Sequence, residues 1–263
     1  MQKHNENNTI SLFIFRSSAR GMQYGIGTYI HELTNALLIH SEINIFLISY
    51  NSSDMPEFTI KTASSGFIEA IIPRPLFHFA HNSRSEKRYA DSVVKLLSNL
   101  VPKTGQVIFQ FNYIDDLPII KLIKESYDYP CISIVHFAQW QQIFEGNKAK
   151  LTNLNLDNPK NNIEFTLSQE REMYRQSDHI ISVTRYMKDF LVNEYGISSE
   201  KITVIKNGLT QINNNQVSEK ETTEIRRRFG FGEHEIILLF SGRIDACKGI
   251  NYLMEAFEQA CIK

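Results

Sequence analysis

Short apolar runs alternate with segments whose apolar residues recur at helical spacing, and the alternation continues along most of the chain. The runs at residues 10–15, 43–49, 67–72, 106–111, 131–135, 179–183, 202–205 and 236–240 predict β-strands. Helical spacing predicts helices at residues 30–38, 84–101, 117–123, 163–176, 185–196, 223–229 and from 249 onward. Strands that alternate with helices are typical of an α/β protein with a doubly wound, mainly parallel, Rossmann-like sheet.

Two segments interrupt this alternation. Residues 137–162 have little periodicity and contain the only tryptophan, Trp140, so we expect this long connection to be functional, mobile or both. Residues 211–223 are rich in Asn, Gln, Glu and Ser, which is a linker composition. We therefore expect a first domain at residues 1–208, a linker at 209–232, and the incomplete start of a second domain at 233–263.

Composition and charge exclude several classes of protein. An apolar fraction of 42% can fill a globular core, and a net charge of -1 argues against a general nucleic-acid binder. The three cysteines form no CxxC pair and stand beside no histidine cluster, so we expect neither a zinc site nor a disulfide framework. We find no secretory signal and no apolar run of the roughly 18 residues that a membrane span needs. A soluble, cytoplasmic protein is expected.

The segment with the most site-like pattern is residues 236–249. Its apolar run predicts a buried strand, small residues end the run, and a helical pattern opens at Gly249. A strand end, a glycine turn and a helix start together form an anion site in α/β sheets. Arg243 and Lys248, two cations five positions apart, suit a diphosphate. On spacing alone, a solvated loop with ordinary surface charges is the alternative interpretation.

Two further positions are candidate ligand contacts. Gly25 and Gly27 precede a helical pattern, where a backbone can approach a phosphate or a sugar, although the third glycine of GxGxxG is replaced by Ile30. A plain glycine turn is the alternative there. His136 directly follows a predicted strand, and ligands of open α/β sheets bind beyond the carboxyl ends of strands. A structural histidine is the alternative at this position.

Other charged groups are expected to be solvated. Adjacent carboxylates at 115 and 116 predict a solvated loop rather than a catalytic pair, and residues 170–172 predict an exposed helix face. The basic triplet at 226–228 predicts a solvated helix face, with an anionic membrane surface as the alternative.

Five segments, in order, resemble the retaining, nucleotide-sugar-dependent glycosyltransferases of family four, which have the GT-B fold and include many enzymes that build bacterial polysaccharides. The segments are YGIGTYIHEL at 24–33, IVH at 134–136, SDHIISVT at 177–184, KITVIKNG at 201–208, and SGR with KG at 241–243 and 248–249. The resemblance implies that this chain contains a GT-B N-terminal domain and the truncated start of a second Rossmann-like domain.

The resemblance also implies roles for the candidate residues. Arg243 and Lys248 would hold the donor diphosphate and stabilise the leaving group as its charge grows. Gly25 and Gly27 would let the backbone approach that diphosphate from the facing domain, and His136 would contact the donor sugar near the reacting carbon. No metal and no cofactor are implied, because the nucleotide-sugar is a substrate. The acceptor would be a saccharide or a lipid-linked sugar, which brings contact with the cytoplasmic membrane face.

One departure from the family keeps other hypotheses open. The family carries a second acidic motif, Glu-x7-Glu, well into its C-terminal domain, and Glu255 and Glu258 do not match it by position. Most of the nucleotide pocket is then expected outside residues 1–263. The alternatives are a non-catalytic acceptor-binding domain, a domain completed by a second polypeptide, and a nucleotide-sugar epimerase.

Overall fold

The computed structural model describes residues 9–18, 25–64, 66–75, 83–210, 217–242, 244 and 248–261. The strands are β1 (Ile10–Ser17), β2 (Ile43–Ser52), β3 (Thr59–Ser64), β4 (Phe67–Pro73), β5 (Gln106–Phe111), β6 (Cys131–Val135), β7 (His179–Ser182) and β8 (Ile202–Val204). The helices are α1 (Gly25–Leu37), α2 (Ser83–Leu97), α3 (Leu117–Ser126), α4 (Gln139–Ile143), α5 (Asn162–Gln176), α6 (Arg185–Asn193), α7 (Glu219–Arg228) and α8 (Ile250–Cys261).

The strands form one eight-stranded sheet in the order β3-β4-β2-β1-β5-β6-β7-β8. Every neighbouring pair is parallel except β3 with β4. The chain builds outward from β1 in one direction and then continues from β5 in the other, so the strand order reverses between these two strands. In open α/β sheets, ligands bind at such a reversal, beyond the carboxyl ends of the strands. The α/β class and the mainly parallel, doubly wound sheet are therefore confirmed.

Alternating residues of β1 pack into two separate cores. Phe13 and Phe15 belong to one buried cluster and Leu12 and Ile14 to another. Successive strand residues point to opposite faces, so both faces of the central strand are covered. A strand buried on both faces has an almost continuous apolar sequence, as residues 12–15 do.

The second predicted domain has no strand in the described structure. The predicted strand at 236–240 is wrong: this segment is not paired, and Ile236 is 92% and Leu239 87% exposed. A strand forms only beside a partner strand, and no described strand lies next to this segment. The predicted helix is confirmed as α8, whose Leu253 and Phe257 are exposed. The proposed boundaries at 208 and 232 stay a prediction.

Several smaller features agree with the sequence predictions. Thr184 caps α6 by accepting a hydrogen bond from the Met187 amide, and Gly196 follows that helix with a φ of 64°. The edge strand β3, in contrast, was not predicted.

Among the described residues, no helix is long and apolar enough to cross a bilayer.

Candidate functional site

His136 directly follows β6, at the carboxyl edge of the sheet near the reversal of strand order. Its ring contacts the edge of the Tyr29 ring in α1, with 4.7 Å between ring centroids. Its Nε2 lies 3.4 Å from Oδ1 of Asn112, the residue that follows β5. Burial lowers the pKa of His136 to about 4, so its imidazole is neutral at physiological pH.

The start of α1 lies at the same place. The helix begins at Gly25, where an added Cβ would meet no atom of the described residues within 4 Å, and Gly27 is buried in its first turn. Ile26, which lies between these glycines, lines the same cavity as His136. The fold thus brings the predicted glycine segment and the predicted histidine together.

A small cavity lies between these elements. Its volume is about 10 Å³, and its lining includes Ile26, Asn112, Tyr113, His136, Phe137 and Tyr174. That volume holds about one water molecule, so a larger ligand would contact these residues from outside the cavity.

Asp116 is buried beneath this site, which corrects the prediction of a solvated pair at 115 and 116. Its Oδ1 accepts a hydrogen bond from the Tyr50 hydroxyl at 2.5 Å. Its Oδ2 accepts from the backbone amides of Asn112 at 3.1 Å and Tyr113 at 2.9 Å. Burial raises the pKa of Asp116 to about 7 despite these bonds. The carboxylate ties the loop after β5 to β2, while Asp115 is exposed as predicted.

Glu170 has a similar role on the other side of His136, and the prediction of an exposed helix face at 170–172 is wrong for it. Its side chain is fully buried. Its Oε1 accepts from the backbone amide of Gln139 at 3.0 Å, and its Oε2 accepts from the Tyr195 hydroxyl at 2.5 Å. Glu170 thereby fixes the segment that follows His136 onto α5. Burial raises the pKa of Glu170 to about 7.

The raised pKa of Glu170 makes an expected contribution to the pH dependence of stability. Its folded pKa of about 7 lies above its ordinary value of 4.5, so the folded state holds the proton more tightly between these values. The free energy of unfolding therefore falls as pH rises through this window and levels off above it. Urea unfolding at about pH 5 and about pH 8 measures this effect. Between these two pH values, the free energy of unfolding of Glu170→Gln should rise by on the order of 2 kcal/mol relative to that of wild type.

A control separates this effect from the other titrating groups. The neutral His136 contributes a slope of opposite sign between about pH 4 and its ordinary pKa of 6.5, so only differences between variant and wild type are informative. Glu125→Gln, at an exposed position of α3, is the matched substitution. It should leave the pH dependence of the free energy of unfolding the same as in wild type. Parallel pH profiles of Glu170→Gln and wild type would contradict the expectation.

The two predicted cations lie in the C-terminal segment. Arg243 is outside the described residues. Lys248 is exposed and directly precedes Gly249, whose φ of 66° turns the chain into α8. Within the described residues, neither a contact nor a shared cavity brings Lys248 to His136. No group of three or more His, Cys, Asp or Glu side chains there could hold a metal ion.

Sequence reasoning missed the polar residues that support His136. Asn112 and Tyr29 lie on separate elements, and only the parallel arrangement of the strands and the packing of α1 bring them to His136. The cation Arg16, near the end of β1, has no sequence pattern that would indicate a site. Its guanidinium forms an ion pair with Glu69 at 2.5 Å, so its charge is already neutralised.

Comparisons with known proteins agree with this architecture. The model of the family described as Glycosyltransferase Family 4 matches residues 24–210. The mannosylfructose-phosphate synthase of Agrobacterium fabrum is 31% identical over 96 residues, which are 36% of this chain and 21% of that protein.

Two solved structures share the fold at low sequence identity. Sucrose-phosphate synthase from Thermosynechococcus elongatus is 14% identical, with a TM-score of 0.66 over 95% of this chain and 59% of that one. A glycosyltransferase from Rickettsia africae is 12% identical, with a TM-score of 0.60 over 96% of this chain and 58% of that one. The chain thus spans less than two thirds of the length of each of these three proteins.

Proposed function

The chain belongs to Glycosyltransferase Family 4, and we propose that it forms the acceptor-side part of an enzyme that transfers a sugar from a nucleotide-sugar to a saccharide or lipid-linked acceptor. We propose retention of configuration at the anomeric carbon and a role in bacterial-type polysaccharide or glycoconjugate synthesis. The observation that carries the proposal is the meeting of the α1 N-terminus and the neutral His136 at the reversal of strand order, within the region that the family model matches.

Two groups at the carboxyl edge of the sheet could bind a nucleotide-sugar: the N-terminus of α1 and the imidazole of His136. A helix N-terminus presents unpaired amides that favour a phosphate group, and the described residues place no atom within 4 Å of a Cβ at Gly25 that would keep that group away. A neutral imidazole can exchange hydrogen bonds with sugar hydroxyls without placing a cation beside the reacting carbon. The proposed donor sugar therefore lies against His136, with its diphosphate toward α1.

Arg243 and Lys248 complete the proposed donor site from the second domain. Their positive charges would stabilise the nucleoside diphosphate as it leaves, in place of a metal ion. In this proposal residues 1–208 bind the acceptor, residues 209–232 form the linker, and residues 233–263 begin the donor-binding domain. The nucleotide-sugar is a substrate, and no cofactor is part of the proposal.

A transfer assay with sugar-labelled donors tests this function. The matched relatives are named as synthases of mannosylfructose phosphate and sucrose phosphate, so sugar phosphates belong on the acceptor panel beside free saccharides and polyprenyl-linked sugars. We expect label to move to one acceptor class with release of the nucleoside diphosphate. Epimerised donor without acceptor would instead support the epimerase, and acceptor binding without turnover would support the non-catalytic domain.

His136→Ala should lower kcat about 100-fold where transfer is found, because a hydrogen bond at the reacting sugar contributes to the transition state. His40→Ala is the matched control, since His40 is an exposed histidine of the α1–β2 turn. Similar kcat values for His136→Ala and His40→Ala would refute the role of His136.

A further inference from the structure

The side-chain amide of Asn112 has a fixed orientation toward His136. Asn112 is 4% exposed, and its Nδ2 donates a hydrogen bond to the carbonyl oxygen of Phe15 at 3.0 Å. A carbonyl oxygen can only accept, so the amide atom that faces Phe15 must be the nitrogen. The oxygen Oδ1 is therefore the atom that faces the imidazole.

That oxygen determines which ring nitrogen of His136 carries the hydrogen. Oδ1 lies 3.4 Å from Nε2, which is a long hydrogen bond. An amide oxygen can only accept, so Nε2 must be the donor. The ring is neutral near pH 7 because burial lowers the pKa of His136 to about 4. Nδ1 therefore keeps its lone pair.

We propose that Asn112 is a positioning residue that fixes His136 in the Nε2–H tautomer and so leaves Nδ1 as the hydrogen-bond acceptor. Among the residues described, His136 makes no hydrogen bond other than that with Asn112, so Nδ1 has no hydrogen-bond partner among them. This inference rests on the proposed function for its ligand, a sugar whose hydroxyl would donate to Nδ1. An acceptor nitrogen at this point selects a sugar with a hydroxyl there over the corresponding deoxy sugar.

The surroundings hold both residues in place. The backbone amide of Asn112 donates to Oδ2 of the buried Asp116 at 3.1 Å, which fixes the loop after β5. The Tyr29 ring packs edge-on against the imidazole and restricts its rotation. Asn112 thus links the buried carboxylate to the ring that faces the cavity.

The tautomer can be measured without any substrate. In the ¹⁵N-labelled chain, two-bond ¹H–¹⁵N correlation spectra at neutral pH distinguish protonated from unprotonated ring nitrogens, and His136→Gln identifies which of the eight histidine patterns belongs to His136. We expect protonated Nε2 and unprotonated Nδ1 in the wild type. Asn112→Ala should convert this single tautomer into a mixture of both.

Gln110→Ala is the matched control, because Gln110 is a buried amide on β5 that has no bond to His136; its substitution should leave the tautomer unchanged. Asn112→Ser replaces the alanine variant if that variant does not fold. Protonated Nδ1 in the wild type, or an unchanged tautomer in a folded Asn112 variant, would overturn the proposal. Absence of transfer activity would instead refute the proposed function and leave the tautomer result standing.

Discussion

Replacement of Arg243 or Lys248 with alanine is expected to lower kcat/KM for sugar transfer at least 100-fold, the largest effect on activity that we expect in this chain. Cleavage of the donor leaves a nucleoside diphosphate whose negative charge grows in the transition state. A fixed cation or donor at such a position contributes about 3–4 kcal/mol, which corresponds to a factor of about 10²–10³ in rate.

The measurement compares kcat/KM of each variant with that of wild type in the transfer assay with labelled donor. Lys220→Ala is the matched control, since Lys220 is an exposed lysine of α7 and should retain wild-type activity. The loss should fall mainly on kcat, because the charge develops after the donor has bound. Near-normal turnover in both variants would refute the proposed role of the two cations. The proposed donor site would then consist only of the sheet edge around His136.

Strands with a local apolar pattern could be predicted from the sequence. The bounds of β5 and β6 match the prediction because each strand is a short apolar run ended by polar or turn-forming residues. In contrast, β3 has the sequence TIKTAS and pairs antiparallel at the edge of the sheet. Pairing with β4 rather than its own pattern makes it a strand. The opposite error occurred at residues 236–240, whose apolar pattern has no partner strand among the described residues.

The position of His136 could be predicted from the sequence, but its contacts with Asn112 and Tyr29 could not. A residue that follows a buried parallel strand lies at the ligand-binding edge whatever the rest of the fold is. The contact with Asn112 depends on the β1-β5-β6 order, and that with Tyr29 depends on the packing of α1. Neither the strand order nor the packing of α1 can be predicted from the local sequence.

The buried carboxylates were missed because charged residues are rarely buried unless they are paired. Their partners are distant: Tyr50 is 66 residues from Asp116, and Tyr195 is 25 residues from Glu170. A signal did exist for Glu170. It lies three residues after Leu167 and four before Tyr174, in the buried row of α5.

Asp116→Ala is expected to lower the free energy of unfolding by about 3–5 kcal/mol, the largest effect on stability among these substitutions. Alanine would leave three buried donors without their acceptor, and each such loss costs about 1–3 kcal/mol. The donors are the Tyr50 hydroxyl and the amides of Asn112 and Tyr113. Urea unfolding near pH 7 measures the effect directly.

Two further variants separate lost hydrogen bonds from lost charge. Asp116→Asn keeps the shape and one acceptor oxygen, so it should be destabilised clearly less than Asp116→Ala. Asp128→Ala removes an exposed carboxylate of the turn between α3 and β6 and should stay within about 0.5 kcal/mol of wild type. Equal losses for Asp116→Ala and Asp128→Ala would contradict a structural role for the buried carboxylate. A loss confined to Asp116 would show that a buried acid holds the loop after β5, which carries the Asn112 side chain that faces His136.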